Sequence, residues 1–355
     1  MKIEEIDSNF EVKTNIQEKN IRWYDAKEEI FMKYGIINSD EDYLRMPREI
    51  ANTVNEGVAE LCASASGVRI RLCTDSPYIA IKAVFPWIWK FPFMALTGSN
   101  GFDLYQEIGG QQFLTGAYIP PMDEEKGFDG IVYTKNSQEA MINYVLNFPL
   151  YNPVTKLYIG LKEGSRIERP DGYINKKPVV FYGSSITQGG CASRPGNIYQ
   201  NVLSRALNMD YLSLGFSGSA RGEKEIAEYM AELDMCAFVS GYDDNAPDSE
   251  YLKKTHLALY ETVRSKNPEL PYIMVSHPCQ GVINEAVLRR KIIMESYIKA
   301  LDRGDKNVYF IDGDSLFAGY EYDNCSVEGS HPNDLGFYRI AQGMLPILRS
   351  ILYKQ

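Results

Sequence analysis

Two rhythms of apolar and polar positions run along the chain. From Gly67, the residues Val68, Ile70 and Leu72 alternate with Arg69, Arg71 and Cys73. A period of two predicts a strand with one buried face. After the turn residues Asp75-Ser-Pro, the run Ile79-Ala-Ile-Lys-Ala-Val predicts a second strand. Further strands are expected at Phe102–Gln106, Gln111–Tyr118, Ile131–Tyr133, Ala140–Leu146 and Thr155–Leu161. Turn residues separate them at Gly109-Gly110, Asp129-Gly130, Asn152-Pro153 and Glu163-Gly164. Residues 1–60 are polar and read as irregular. Many short strands with no helix between them predict a β-sandwich or jelly roll over residues 1–165.

The segment 166–178 is polar and punctuated by Pro and Gly, and is expected to be a linker. Over residues 179–355 the rhythm becomes strand–helix alternation. Strands are predicted at Val179–Tyr182, Tyr211–Leu214, Met235–Val239, Tyr272–Val275 and Val308–Ile311. Helices are predicted at about 197–207, 223–233, 248–266, 284–303 and 334–353, with Asp248 or Ser249 and Asn333 or Asp334 as caps. Five short apolar strands separated by helices predict an α/β fold with a doubly wound, parallel, three-layer sheet.

Composition narrows the partners. An apolar fraction of 45% and a charged fraction of 24% are those of a soluble globular chain, and 355 residues suggest two domains. The net charge of −10 argues against nucleic acid or an anionic membrane as partner. The richest apolar stretch, Ile79 to Leu96, is broken by Lys82, Pro86, Lys90 and Pro92, so no membrane span is expected. The N-terminus lacks the apolar core of a signal peptide, and six cysteines are scattered without CxxC spacing. Reduced thiols in a cytoplasmic protein are the expectation. A homo-oligomer is left open. The 25 tyrosines suit a β-rich core better than a sugar-stacking surface.

The chemistry centres on Val179-Val-Phe-Tyr-Gly-Ser-Ser-Ile-Thr-Gln-Gly189. An apolar strand ending in Gly-Ser-Ser delivers a hydroxyl to the carboxyl edge of an α/β sheet, where such folds keep their sites. A serine nucleophile needs a histidine base, and the chain has three: His256, His277 and His331. His256 lies in the amphipathic run Lys253-Lys-Thr-His-Leu-Ala-Leu-Tyr and reads as a helix-surface residue. His277 follows the fourth strand and reads as a structural loop residue or a substrate contact. His331 sits in Val327-Glu-Gly-Ser-His-Pro-Asn-Asp, where Glu328 on the same turn can orient the imidazole of His331 towards Ser185. Three candidate oxyanion donors fall on successive strand ends: the amide of Ser185, the amide of Gly218 in Gly215-Phe-Ser-Gly-Ser, and the side chain of Asn245 in Gly241-Tyr-Asp-Asp-Asn-Ala-Pro.

These blocks resemble those of the SGNH (GDSL-like) hydrolases. GSSITQG, GFSGSARGE, the asparagine of GYDDNAP and EGSHPND occur in the family's order over about residues 178–355. The resemblance maps the family's Ser, Gly, Asn and His onto Ser185, Gly218, Asn245 and His331. Ser184 stands where the family often has Asp, and Glu328 replaces the Asp of its DxxH block. Gly101-Phe-Asp-Leu-Tyr105 resembles the GxDLY signature of the β-domain preceding one esterase subgroup. The resemblance implies a flavodoxin-like hydrolase sheet and action on small acyl esters, with acetylated carbohydrates the expected substrates.

Other chemistry is poorly supported. The elbow GxSxG fails at Thr187, and no P-loop or complete GxGxxG appears, so no nucleotide cofactor is expected. Dispersed histidines argue against a metal site, and Asp312 and Asp314 read as turn and cap residues. Arg194 and Arg221, on the first two loops, are candidates to hydrogen-bond a polar substrate. Trp87 and Trp89 read as a sugar platform, a domain interface or core. The expected protein is a serine esterase. Acyl transfer to a sugar or metabolite hydroxyl is the second reading, and a non-catalytic glycan-binding protein is the third.

Overall fold

The computed structural model describes residues 16–37, 43–134, 140–278, 284–319 and 322–353. The polar patch from Asn38 to Asp42 and the cysteine Cys279 lie outside these residues. The N-terminal strands are β1 (Ile21–Asp25), β2 (Met32–Tyr34), β3 (Arg69–Thr74), β4 (Tyr78–Val84), β5 (Phe102–Ile108), β6 (Gln111–Tyr118), β7 (Gly127–Tyr133), β8 (Ile142–Asn147), β9 (Lys156–Lys162) and β10 (Ile167–Glu168). They form two antiparallel sheets. One has the order β1-β9-β4-β7; the other has β10-β3-β8-β5-β6, with β2 paired to β3. Alternate side chains from both sheets meet in one core: Ile79 and Ile81 of β4 and Ile159 of β9 join Ile70 and Leu72 of β3 and Leu146 of β8. The sheets therefore lie face to face.

The period of two located these strands, with local corrections. The expected turn Asp129-Gly130 is inside β7, where Asp129 lies opposite Lys82 and the unlike charges suit a ladder. Residues 1–60 are not irregular throughout. Besides β1 and β2 they form helices α1 (Arg48–Val54) and α2 (Glu56–Leu61). Ile50, Val54, Val58 and Leu61 recur at helical spacing, and Asn55 caps α2 by accepting from the Val58 N–H at 2.9 Å. A further single-turn helix, α3, spans Leu96–Ser99. The segment 166–178 is used at both ends, since β10 pairs with β3 and Asn175 opens the next strand.

The third sheet contains β11 (Asn175–Gly183), β12 (Met209–Gly215), β13 (Ala237–Gly241), β14 (Tyr272–Val275) and β15 (Val308–Ile311). All its pairings are parallel and the order is β12-β11-β13-β14-β15. That 2-1-3-4-5 arrangement is the doubly wound, flavodoxin-like order. The intervening helices are α4 (Ser185–Gln188), α5 (Tyr199–Leu207), α6 (Lys224–Ala231), α7 (Ser249–Lys266), α8 (Asn284–Asp302), α9 (Gly313–Leu316) and α10 (Asp334–Leu352). Strand β11 alternates between the layers. Val180 and Tyr182 pack with α6, α7 and α8, while Val179 and Phe181 pack with α5 and α10. Helices α1 and α2 join the first of these layers, burying Ala51 and Val58 in the core of the parallel sheet.

Buried arginines fasten the sheets together. Arg45 donates to the carbonyls of Leu61, Ser213 and Gly215 and lies over the Phe216 ring. Burial lowers its pKa to about 10. Arg69 of β3 reaches Asp210 of β12 at 2.6 Å. Cys62, Cys73, Cys191, Cys236 and Cys325 are all free thiols. Among the described residues no helix is long and apolar enough to cross a membrane.

Candidate active site

Strand β11 sits between β12 and β13, the point where the strand order reverses and a crevice opens at the carboxyl edge. The chain turns there on Gly183. A Cβ at that position would stand 2.2 Å from Thr187 Oγ1 and 2.5 Å from the Gly241 carbonyl, so only glycine fits. Ser184 then caps α4, its hydroxyl accepting from the Ile186 N–H at 3.3 Å, and its own N–H donates to Gly241 at 3.2 Å. Ser184 is thereby spent on structure. Ser185 is the first residue of α4, and its Oγ lies 2.8 Å from His331 Nε2.

His331 is held from behind. Glu328 Oε1 is 2.5 Å from His331 Nδ1 and also accepts the His331 main-chain N–H at 2.9 Å. Burial alone would raise the Glu328 carboxyl. The two His331 donors and the Ser330 N–H outweigh it and leave the group below the ordinary carboxylate range. The extra methylene of glutamate is taken up within its own turn. Beyond the histidine, Asn333 caps α10 by accepting from the Gly336 N–H at 3.1 Å.

The three expected oxyanion donors lie on loops bonded to one another. Phe216 N–H donates to the Gly183 carbonyl at 2.9 Å, and Ser217 N–H donates to Gln188 Oε1 at 2.9 Å, tying the Gly218 turn to α4. Gly218 has φ +66°, a left-handed conformation that favours glycine, and is exposed. The Phe216 carbonyl accepts both the Ser219 N–H at 3.0 Å and Asn245 Nδ2 at 2.9 Å. One hydrogen of the Asn245 amide is thus spent, leaving the second as a donor. Gln188, which joins the first two loops, was not singled out by sequence. Its role depends on a long-range contact that no local pattern announces.

The remaining candidates fall elsewhere. Arg194 is committed to the N-terminal sheets, donating to Asp103 at 3.0 Å and to the Tyr105 hydroxyl. The buried Asp103 also accepts from Asn147 and from the Gly196 N–H, both at 2.7 Å. A substrate role for Arg194 gives way to one at the junction between the sheets. Asp103 and Tyr105 of the GxDLY stretch are the other half of that junction. Arg221 donates to the Gly218 carbonyl at 3.1 Å and so braces the turn rather than reaching outwards.

His256 corrects the surface reading. It is buried, stacked on Tyr242 at 5.9 Å, and burial lowers its pKa to about 4. His277 donates its main-chain N–H to Asp243 at 3.0 Å, and it lines a narrow cavity with Ser184, Asp243 and Ser276. Asp312 caps α9 by accepting from the Asp314 N–H and pairs with Arg290. Among the described residues no group of three or more His, Cys, Asp or Glu could hold a metal ion.

Trp87 is exposed, whereas Trp89 is anchored by Asn152, which accepts its main-chain N–H at 2.7 Å and donates to its carbonyl at 3.1 Å. Their loop continues to Phe93, whose ring centroid is 6.0 Å from that of His331.

A serine hydroxyl lies on an imidazole with a carboxylate behind it, in a crevice at the edge of a 2-1-3-4-5 sheet, an arrangement suited to nucleophilic chemistry. Residues 176–349 match the GDSL-like lipase/acylhydrolase family. Residues 21–167 match the GxDLY N-terminal domain of SGNH-hydrolase-type esterases. Among solved structures, one described as a GDSL-like lipase from Bacteroides ovatus is 29% identical, with a TM-score of 0.85 over 94% of this chain and 98% of its own. The salicylyl-acyltransferase SsfX3 of a tetracycline biosynthetic pathway is 18% identical, with a TM-score of 0.75 over the same shares. The acetyl xylan esterase Est2A from Butyrivibrio proteoclasticus is 14% identical, with a TM-score of 0.57, again over 94% and 98%. No curated protein matches the sequence.

Proposed function

We propose that the protein is a serine esterase that removes small acyl groups, acetyl foremost, from the hydroxyls of carbohydrates. One observation carries the reading: the unbroken line from Glu328 through His331 to Ser185, at 2.5 and 2.8 Å. Ser185 Oγ adds to the ester carbonyl as its proton passes to His331 Nε2, and Glu328 stabilises the imidazolium. The oxyanion accepts from the amides of Ser185 and Gly218 and from the Asn245 side chain. Collapse expels the alcohol, which takes the proton from His331. Water, deprotonated by His331, then cleaves the acyl-enzyme to the carboxylic acid and free serine.

The carbohydrate part is supported by the acetyl xylan esterase, whose fold spans 94% of this chain. The third reading, a non-catalytic glycan-binding protein, is disfavoured because Glu328 reaches the imidazole. Acyl transfer to a hydroxyl other than water is kept as a second reading, favoured by the higher structural similarity of the acyltransferase, 0.75 against 0.57. A jelly roll is our reading of the N-terminal sheets, supported by the strand orders β1-β9-β4-β7 and β3-β8-β5-β6.

Replacing Ser185 tests the mechanism. Ser185→Ala is expected to lower hydrolysis of p-nitrophenyl acetate by at least about 10³-fold, and an unchanged rate refutes the scheme. Mass spectrometry of acetylated xylo-oligosaccharides then reads the substrate class. Loss of acetyl groups indicates hydrolysis, and their appearance on an added sugar acceptor indicates transfer.

A further inference from the structure

We propose that Phe93, presented by the N-terminal sheets, is a specificity residue: it forms the subsite for the alcohol portion of the ester and selects alcohols with a flat apolar ring face. The inference rests on the reading of Ser185 and His331 as nucleophile and base.

The loop that carries Phe93 leaves β4 and is fixed at several points. Phe85, at its start, is buried and stacked on Phe128 at 6.1 Å and 9°. Asn152 holds the main chain of Trp89 from both sides. Lys90 Nζ donates to the Met122 carbonyl at 2.6 Å. Phe91 packs edge-on against Tyr151 at 5.3 Å. Phe93 comes next, 6.4 Å from Phe91 and 6.0 Å from His331, tilted 31° to the imidazole. Despite this anchoring Phe93 remains 44% exposed and belongs to no core cluster. A large aromatic held in place beside the base, with half its surface left to solvent, is available to a ligand.

The chemistry decides which part of the ligand it meets. The acyl carbonyl points its oxygen at the loops of Gly218 and Asn245. The leaving oxygen takes its proton from His331 Nε2, so the alcohol must lie along the imidazole on the side opposite those donors. Phe93, 6.0 Å from that imidazole, is within reach of an alcohol placed there. An aromatic face attracts the C–H face of a saturated ring, such as that of a pyranose, more than it attracts a small chain.

Two ester series separate the parts. One varies the alcohol at constant acetyl (methyl against cyclohexyl acetate); the other varies the acyl group at constant p-nitrophenol. Phe93→Ala is expected to lose about tenfold in kcat/KM on cyclohexyl acetate while staying within twofold on methyl acetate, with the acyl order unchanged. Phe93→Trp, which restores a flat face, should recover the cyclic ester. Equal losses on both alcohols, or an altered acyl order, overturn the inference while the esterase reading stands. A wild-type protein inactive on every ester overturns both.

Discussion

At the residue scale, Glu328 makes the contact to the imidazole that the proposed mechanism asks of its acid. One oxygen of Glu328 takes both the ring and the main chain of His331, so the added length is absorbed by curling back on its own turn. Charge, not mere contact, is what the imidazolium needs. Glu328→Gln keeps the shape and removes the charge, so kcat for p-nitrophenyl acetate is expected to fall by about 10²–10⁴ while KM stays within twofold. Steady-state kinetics decide it; a kcat near wild type would leave Glu328 no electrostatic part. Ser185, His331 and Glu328 were legible in sequence because each lies in a short local motif. Phe93 and Arg45 were not, because what they do depends on distant contacts.

At the scale of the element, α7 shows how a charged neighbourhood misleads. Lys253 and Lys254 suggested an exposed histidine, yet Leu252, His256, Leu259, Tyr260 and Val263 form one buried stripe at helical spacing. Burial holds His256 neutral, its pKa falling from 6.5 to about 4. Protons then bind the unfolded chain more tightly than the folded one between those values. Stability contributed by the neutral ring is fully present above pH 6.5 and is lost as pH falls towards 4. From pH 7 to pH 5 the loss from this group is about 2 kcal/mol. Urea unfolding at the two pH values should show a correspondingly smaller drop in His256→Leu than in wild type. Identical drops would mean that His256 binds its proton equally well in the folded and unfolded chain.

Over the whole molecule, the two rhythms of the sequence find their sheets, because a period of two and a strand–helix alternation are local properties. What they could not announce is the exchange between the parts. Helices α1 and α2 are only seven and six residues long, too short to persist alone, and are stabilised by packing of α1 against α6 and by joining the buried cluster on that side of the sheet. Arg45 adds hydrogen bonds to the end of β12. A fragment beginning at Asn175 would lose the part of that layer that α1 and α2 supply. It is expected to show no cooperative calorimetric transition, whereas the full chain does. A sharp transition in the fragment would show that the N-terminal helices are dispensable to this core.

The pairing of Glu328 with His331 has a further consequence for assembly. These residues are three apart in sequence, whereas His331 and Ser185 are 146 apart. A triad drawn from three distant segments requires two independent long-range encounters, each with its own entropic cost of loop closure. Here the acid and the base arrive as one prefabricated unit. Assembling the machinery becomes a two-body problem: the register of a single turn against the end of a single strand.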